Sequence, residues 1–287
     1  PALPLSYSAT VSKQWPLRQL VDGLTLADVD KPGSEARAAY LRDLANLLAR
    51  TAGHTDHESK WDGVRWFNWN RDVVVYPEHY ELPRTHDELR ALIQRPGHVR
   101  MAAGGHAFNI GSSMGGTSAH PAGTLITLDN HELSPGKRWA RVDPAEAVAR
   151  YNVSADQSTR VVRASAGIRL RDFGKLMWAE GMALPVAGST DAQSLGGLIA
   201  TDLHSTGKKV GFLSPQLLEL VVFSGNGDPV RFIKNESVPR GQMGRWSWIL
   251  PGAAGPQQLA HLPVAGALGV VGVVAEVVMK LDAAYNI

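Results

Sequence analysis

The 287-residue sequence contains no cysteine. This absence excludes disulfide bonds, thiolate metal sites and thiol nucleophiles together, and it leaves the redox compartment open. The sequence also lacks any apolar run approaching the roughly 20 residues that cross a bilayer, so we expect no membrane span. With 29 basic and 27 acidic side chains the formal net charge is only +2, which favours neither a nucleic acid nor a strongly acidic partner. The remaining composition, 44% hydrophobic and 20% charged, is ordinary for a soluble enzyme.

Helix and strand signals are mixed along the chain. A capping box at Thr85 to Glu88 predicts the start of a helix. Periodicity and turn composition predict helices at 88–94 and 170–180, strands at 125–128 and 161–166, and a hairpin turn at 225–228. Because no long alternation of strands and helices is present, an α+β fold is favoured over a doubly wound sheet.

The most informative segment is a glycine turn that follows an apolar, strand-like run at 99–103. It consists of Gly104-Gly105-His106-Ala107-Phe108-Asn109. Two adjacent glycines can adopt left-handed backbone angles and expose N–H groups to a phosphate, and a side chain at the edge of the turn can touch the group attached to that phosphate. Taken alone, these residues also fit a plain turn with a solvated histidine.

A second glycine segment lies about ninety residues later, from Gly188 to Gly207. Two separate glycine segments, each able to bind a phosphate, suit a dinucleotide. No Gly-x-Gly-x-x-Gly follows the first strand, and residues 205–209 lack the preceding glycine of a Walker loop, so neither of those nucleotide-binding motifs is supported. Two histidines three residues apart, His54 and His57, are more often solvated than metal-bound, so no metal site is expected.

In order and spacing these segments resemble one known family. Trp66 to Asn70 precede the histidine turn, and Gly266 to Gly272 follow the second glycine segment. Together the motifs resemble the flavin domain of the vanillyl-alcohol oxidase superfamily, the PCMH-type FAD-binding proteins, and most of all the aldonolactone and alditol oxidases. The resemblance runs from roughly residue 61 to residue 287.

The resemblance implies a fold and a domain arrangement. It implies an α+β, PCMH-type FAD-binding domain at 61–287, made of two α+β subdomains, about 61–120 and 121–287, that cradle FAD. Residues 1–60 are expected to form an N-terminal extension with one helix, which starts at Ser34.

By resemblance, the flavin site combines the glycine turn, the second glycine segment and two valines near the end of the chain. The residues implied to bind FAD are Ala103, Gly104, Gly105, His106, Ala107, Phe108, Asn109, Ser112, Ser113, Gly188, Ser189, Thr190, Ser194, Gly196, Gly197, Ala200, Thr201, His204, Val270 and Val271. His106 falls at the family's position for a histidine bound covalently to the 8-methyl carbon of the flavin ring. Val270 and Val271 are expected on a strand that holds the adenine or the ring edge.

Two of these positions have alternative interpretations. The family's threonine-histidine-glycine becomes Leu203-His204-Ser205 here, so His204 fits a structural histidine as well as a flavin neighbour. Gly188 aligns with a position where a small residue leaves the oxygen-reactive carbon of the flavin open, which favours an oxidase over a dehydrogenase. A simple turn glycine is the alternative for Gly188.

The activity that the resemblance implies is oxidation of an alcohol group by hydride transfer to FAD, with molecular oxygen as the acceptor. Sugar, polyol, lactone and nucleoside-like hydroxyls are all compatible as small-molecule substrates. Relatives continue beyond the point that matches Leu281 into a substrate or cap domain, so we expect the catalytic base on a second polypeptide or on the other part of a cut chain. Without such a partner, the base would be sought among Asp202, His204 and Glu219.

Two other functions fit the same FAD-binding residues. The separate flavin subunit of molybdenum hydroxylases has a similar length and relays electrons without oxidising substrate, although neither His106 nor the Asn68-Trp69 pair is expected there. A subunit that binds FAD only for structure or assembly is the other alternative.

Overall fold

The computed structural model describes residues 60–61, 65–69, 73–106, 116–188, 190–205 and 211–284. Helices and strands share the chain throughout these ranges, which confirms the predicted α+β class. The predicted helix that starts at Ser34 and the pair His54 and His57 lie outside the described residues.

The described part of the chain contains five α-helices and fifteen strands. The helices are α1 His86–Ile93, α2 Pro144–Tyr151, α3 Ala155–Ser158, α4 Leu170–Ala179 and α5 Leu195–Ala200. The strands are β1 Lys60–Trp61, β2 Trp66–Phe67, β3 Val74–Val75, β4 His79–Glu81, β5 Val99–Ala102, β6 Thr124–Thr127, β7 Trp139–Arg141, β8 Val161–Ser165, β9 Met182–Ala183, β10 Leu217–Phe223, β11 Pro229–Lys234, β12 Trp246–Ile249, β13 Gln257–Leu259, β14 Val273–Lys280 and β15 Asp282–Ala283.

A three-stranded parallel sheet, in the order β4-β6-β5, delivers the glycine turn. Helix α1 connects β4 to β5 and is capped by Thr85, whose hydroxyl accepts a hydrogen bond from the N–H of Glu88 at 3.2 Å. The carboxylate of Glu88 accepts a bond from the N–H of Arg84 at 2.6 Å, so the predicted capping box forms with its return bond shifted by one residue. Strand β5 ends at Ala102 and therefore leads directly into the turn that carries His106.

The central strand of this sheet is β6, so the parallel sheet is completed at Thr127. A separate antiparallel sheet, β1-β2-β3, precedes the parallel sheet in the chain. The division of the chain into two subdomains stays a prediction.

A seven-stranded antiparallel sheet, in the order β13-β12-β11-β10-β14-β8-β7, forms the largest sheet of the described structure. Strands β10 and β11 are joined by the predicted hairpin at 225–228, where the N–H of Ser224 donates to the carbonyl oxygen of Asp228 at 2.9 Å. All seven residues of β10 are buried, because other elements cover both faces of the sheet.

Helices α4 and α5 cover one face of this sheet. Phe173 and Met177 of α4 and Leu198 of α5 are fully buried in one cluster with residues of β10 and β14. Burial of each such side chain contributes roughly 1.5–3 kcal/mol. Helix α2 covers the opposite face through Ala147 and Tyr151. Because α5 belongs to the second glycine segment, this packing fixes that segment on the sheet.

Glu219 of β10 is fully buried at the centre of a charged cluster. Its carboxylate accepts hydrogen bonds from Arg231 at 2.6 Å and from Arg150 and Tyr151 at 2.8 Å. Burial alone would raise the pKa of Glu219, but the charges of Arg163 and Arg150 outweigh burial and hold that pKa below its usual range. The cluster therefore keeps Glu219 as a structural anion, which disfavours it as a catalytic base.

A buried histidine lies between the parallel sheet and the large sheet. The ring of His131 stacks on that of His86, with centroids 5.2 Å apart, and its Nδ1 atom lies 3.1 Å from Oγ of Ser165. The pKa of His131 is lowered to about 4, mainly by burial and in addition by the neighbouring His86, while the charge of Glu276 opposes the shift. His131 is therefore held neutral in the folded protein at pH 7.

We expect acid to destabilise the fold through His131. Its folded pKa of about 4 lies below the ordinary value of 6.5. The unfolded chain therefore binds more protons between these values, and stability falls as the pH drops from about 6.5 towards 4. The expected loss at pH 5 is about 2 kcal/mol, measured as the free energy of urea unfolding at pH 7 and pH 5.

His131→Asn, which cannot titrate but retains a polar group for Ser165, should remove most of this pH dependence. The exposed His261 offers the matched control, and His261→Asn should behave as the wild type. An unchanged pH slope in His131→Asn would contradict the assignment.

Gly167 is required where β8 passes the end of β6. A Cβ on Gly167 would fall on the carbonyl oxygen of Leu128, which is backbone and cannot rotate away. Gly167→Ala should therefore lower the free energy of unfolding by about 1–3 kcal/mol. The control is Gly174→Ala in α4, where nothing lies within 4 Å of the added Cβ and a gain of about 0.5–1 kcal/mol is expected. Equal urea midpoints for the two variants would show that Gly167 is not required.

Candidate functional site

The glycine turn after β5 is held by the preceding Asn-Trp pair. The N–H of Trp69 donates to the carbonyl oxygen of Gly105 at 3.0 Å, and the ring of Trp69 stacks on His106 with centroids 5.5 Å apart and planes inclined by 12°. Gly105 has a φ of 67°, which side chains rarely allow. Asn68 closes its own loop by exchanging hydrogen bonds with Val73 at 3.1 and 3.2 Å. The pair thus fixes both the backbone of the turn and the plane of the His106 ring.

The two glycine segments contact each other in the folded chain. A Cβ on Gly104 would lie 2.7 Å from the carbonyl oxygen of Ala192 and 2.9 Å from Cα of Gln193. A Cβ on Gly197 would lie 3.4 Å from Cβ of Ala103. Glycine is needed at Gly104 because the two backbones approach so closely there. The structure therefore places the histidine turn and the second glycine segment in direct contact.

The start of α5 uses several of the predicted cofactor-binding groups within the protein. The hydroxyl of Ser194 accepts a hydrogen bond from the N–H of Gly197 at 3.2 Å, and the N–H of Gly196 donates to Ala166 at 2.7 Å. The hydroxyl of Thr201 donates back to the carbonyl oxygen of Gly197 at 3.1 Å. Their contacts with FAD stay a prediction. In this structure the hydroxyls of Ser194 and Thr201 bond to the backbone of α5 itself, and the N–H of Gly196 joins α5 to the residue that follows β8.

The third motif packs on the end of α5. The N–H of Gly266 donates to the carbonyl oxygen of Ile199 at 3.2 Å, and the N–H of Leu268 donates to that of Ala200 at 2.8 Å. Three of the four motifs of the resemblance, namely the histidine turn, the second glycine segment and the Gly266 to Gly272 segment, are therefore joined by direct contacts around α5.

The prediction that Val270 and Val271 lie on a strand is wrong. Leu268 and Gly269 have positive φ angles of 54° and 81°, so the backbone turns there and β14 begins only at Val273. Val270 is 86% exposed and Val271 is 36% exposed. The apolar run predicted a strand, and the prediction failed because the sequence does not reveal the left-handed backbone angles that interrupt the run. The contacts of Val270 and Val271 with FAD stay a prediction.

A cavity of about 950 Å³ opens beside His106. Its volume falls at the upper end of the range of roughly 300–1,000 Å³ for small-molecule and cofactor sites. The described residues that line it are Trp69, His106, Leu170, Arg171, Gly174, Lys175, Trp178, Met182, Ala183, Leu184, Ala187, Gly188, Thr190 and Asp191. Three predicted site residues, His106, Gly188 and Thr190, share this cavity, so the residues present fit a flat flavin ring next to His106.

Helix α4 supplies the cavity residues that the sequence did not predict. Arg171, Lys175 and Trp178 recur at the spacing of one helical face, a pattern that identifies an exposed face but not what it borders. On the facing loop, Asp191 is the sole carboxylate among the described lining residues. The cavity wall thus combines aromatic and aliphatic groups with two cations and one anion.

The other two residues considered as a base do not line this cavity. The carboxylate of Asp202 accepts hydrogen bonds from the N–H and hydroxyl of Ser214 at 3.0 and 2.9 Å. His204 is exposed and meets Phe212 edge-on, with ring centroids 5.6 Å apart. These contacts favour structural roles for Asp202 and His204.

Several predicted site residues lie outside the described residues. They are Ala107, Phe108, Asn109, Ser112, Ser113 and Ser189. Of the helices that the structure describes, none has the length and apolarity needed to cross a membrane. Among the same residues, no group of three or more histidine, aspartate or glutamate side chains is arranged to hold a metal ion.

Comparison with known proteins identifies an FAD-binding family. A family model described as an FAD binding domain matches residues 146–232, from α2 to β11. This range includes the second glycine segment and helix α4, which lines the cavity, whereas the His106 turn lies before it.

Similar proteins are found among flavin-domain oxidases. The chain is 28% identical to an alditol oxidase from Streptomyces sp. over 170 residues, which cover 59% of this chain and 35% of the relative. It is 28% identical to an L-gulonolactone oxidase from Bos taurus over 171 residues, covering 58% and 33%. A D-arabinono-1,4-lactone oxidase from Eremothecium gossypii is 27% identical over 178 residues, covering 60% and 29%.

The aligned region spans about a third of the length of these relatives. The matched family has FAD as its cofactor. Residues 146–232 thus match an FAD binding domain, and over more than half of its length the chain is similar to alditol and aldonolactone oxidases.

Proposed function

We propose that this chain is the FAD-binding part of a flavoprotein oxidase. In this proposal an alcohol group of a sugar, polyol, lactone or nucleoside-like molecule is oxidised, FAD is bound covalently through His106, and molecular oxygen is the electron acceptor. The observation that carries the proposal is the cavity beside His106, whose walls come from both glycine segments. The similarity to alditol and lactone oxidases supports the choice of an alcohol substrate.

When bound, FAD supplies the acceptor for the hydride, and the protein supplies binding, orientation and exclusion of water. The stacked ring of Trp69 restricts the orientation of the His106 imidazole. The hydrogen bond from Trp69 to Gly105 fixes the adjacent backbone at 3.0 Å. His106 thus lines the cavity with its ring held against Trp69, which supports the proposed attachment through this side chain.

Gly188 is proposed to leave room for oxygen at the flavin ring. A Cβ at this position would lie 2.7 Å from Oε1 of Gln193 and 3.2 Å from Cδ1 of Leu203. Both atoms are the ends of flexible side chains, so a larger residue at Gly188 can be accommodated by their movement. Substitution there is a usable test because the fold should survive it.

The catalytic base and the substrate-reading groups are proposed to come from a further polypeptide segment, on a second polypeptide or on the same one. Trp178 on the cavity wall is 53% exposed, so an additional layer is needed to exclude water from this side. Asp202, His204 and Glu219 are already used in contacts away from the cavity.

Covalent attachment can be tested on the full chain produced with FAD. The acid-precipitated wild-type protein should stay yellow and carry the added mass of one FAD. His106→Ala should give a colourless precipitate, because no other described histidine lines the cavity. His204→Ala, the control in the second glycine segment, should retain the flavin. Acid-stable flavin in His106→Ala, or none in the wild type, would refute the linkage.

The role of oxygen can be tested at Gly188. In Gly188→Val, reoxidation of the reduced flavin by oxygen should slow by about ten-fold or more relative to the wild type, while chemical reduction of the flavin is unchanged. Stopped-flow absorbance separates the two half-reactions. The control is Gly174→Ala, which adds a methyl group elsewhere on the same cavity wall without a clash.

Equal reoxidation rates for Gly188→Val and the wild type would remove the argument from Gly188. Failure of the reduced wild type to form hydrogen peroxide would contradict the oxidase and favour an electron-relaying subunit.

A further inference from the structure

The guanidinium of Arg169 joins separate segments of the chain just before α4. Its Nη2 atom donates to both carboxylate oxygens of Asp129 at 2.6 Å, and Nη1 donates to the carbonyl oxygen of Ala192 at 3.0 Å. The Arg169 side chain is only 15% exposed, so water competes weakly for these bonds. A planar guanidinium can hold a carboxylate and a carbonyl in one fixed geometry, which the single ammonium of lysine does not.

The same guanidinium lies against the histidine turn. A Cβ on Gly104 would be 2.9 Å from Nη1 of Arg169, so the turn packs on the guanidinium two residues before His106. Asp129 follows β6, which pairs with the strand that ends at Ala102. The ion pair therefore holds the end of the parallel sheet and the turn that leaves it.

Backbone hydrogen bonds attach the second glycine segment to the same point. The N–H of Leu170 donates to the carbonyl oxygen of Gln193 at 2.8 Å, and the N–H of Arg171 donates to that of Asp191 at 2.9 Å. Asp191 and His106 both line the cavity. The distance between the His106 turn and the second glycine segment is thus set by the contacts at and next to Arg169.

We propose that Arg169, paired with Asp129, is a positioning residue that sets the spacing between the His106 turn and the second glycine segment and so forms the site for the flavin ring. This inference rests on the proposed function. Arg169 does not line the cavity, and it acts through the backbones that do. Loss of the guanidinium should therefore impair capture and attachment of FAD beyond its effect on stability.

The test uses the full chain prepared without FAD, in the wild type and in Arg169→Gln and Asp129→Asn. Flavin fluorescence titration gives the dissociation constant for FAD, and acid precipitation at timed intervals gives the rate of covalent attachment. Both single variants should bind FAD more weakly and attach it about ten- to a hundred-fold more slowly. The double variant should be no worse than either single one, because both changes remove the same link.

The matched control is Arg245→Gln. Arg245 is 14% exposed and donates to the carboxylate of Glu236 at 2.8 Å and to backbone carbonyls, but it belongs to the connection between β11 and β12 and does not line the cavity. Urea unfolding without FAD measures the structural cost of each change. Arg245→Gln should lose stability and still bind and attach FAD as the wild type does.

Wild-type affinity and attachment rate in Arg169→Gln would overturn the inference and leave a purely structural arginine. If the wild type binds FAD and only the variants fail, the inference holds independently of the oxidase reaction. If the wild type binds no FAD, the proposed function and this inference are both wrong. Should Arg169→Gln fail to fold, Arg169→Lys and Asp129→Asn provide the same comparison, with an intermediate attachment rate expected for lysine.

Discussion

The close approach of two backbones at Gly104 is the constraint on which the candidate site depends. The carbonyl oxygen of Ala192 lies where a side chain at Gly104 would begin. Two segments that are far apart in sequence can therefore share one cavity, which both His106 and Gly188 line. A single methyl group at Gly104 would force these segments apart, since two of the three opposing atoms, in Ala192 and Gln193, belong to the backbone.

The two sheets hold the backbones at Gly104 and Ala192 close together. The parallel sheet carries the His106 turn, and the large antiparallel sheet carries α5 with the second glycine segment. Gly167 lets the chain pass the end of β6 at close range, and Arg169 then bonds to Asp129 across the same junction. Glu219 of β10 bonds to Arg150, and the neutral His131 bonds to Ser165 of β8; neither Glu219 nor His131 lines the cavity.

Local features of this fold were predictable from the sequence, whereas contacts between distant segments were not. The cap at Thr85 and the hairpin at 225–228 are encoded by neighbouring residues, and both are present. The turn at Leu268 was missed because an apolar run indicates a strand and gives no sign of a positive φ. The pairing of Arg169 with Asp129 joins residues forty positions apart, and no periodicity in the sequence connects them.

In the predicted site too, local motifs were predictable from the sequence and tertiary contacts were not. Motif order identified His106 and Gly188, because the resemblance covers glycine turns whose function depends on backbone shape. It did not identify Arg171 or Lys175, since α4 reaches the cavity only through tertiary packing. The most direct test of the account is a crystal structure of the full chain with FAD. We predict the flavin ring in the cavity between His106 and Gly188, and a ring bound elsewhere, or an empty cavity with FAD held at another surface, would contradict it.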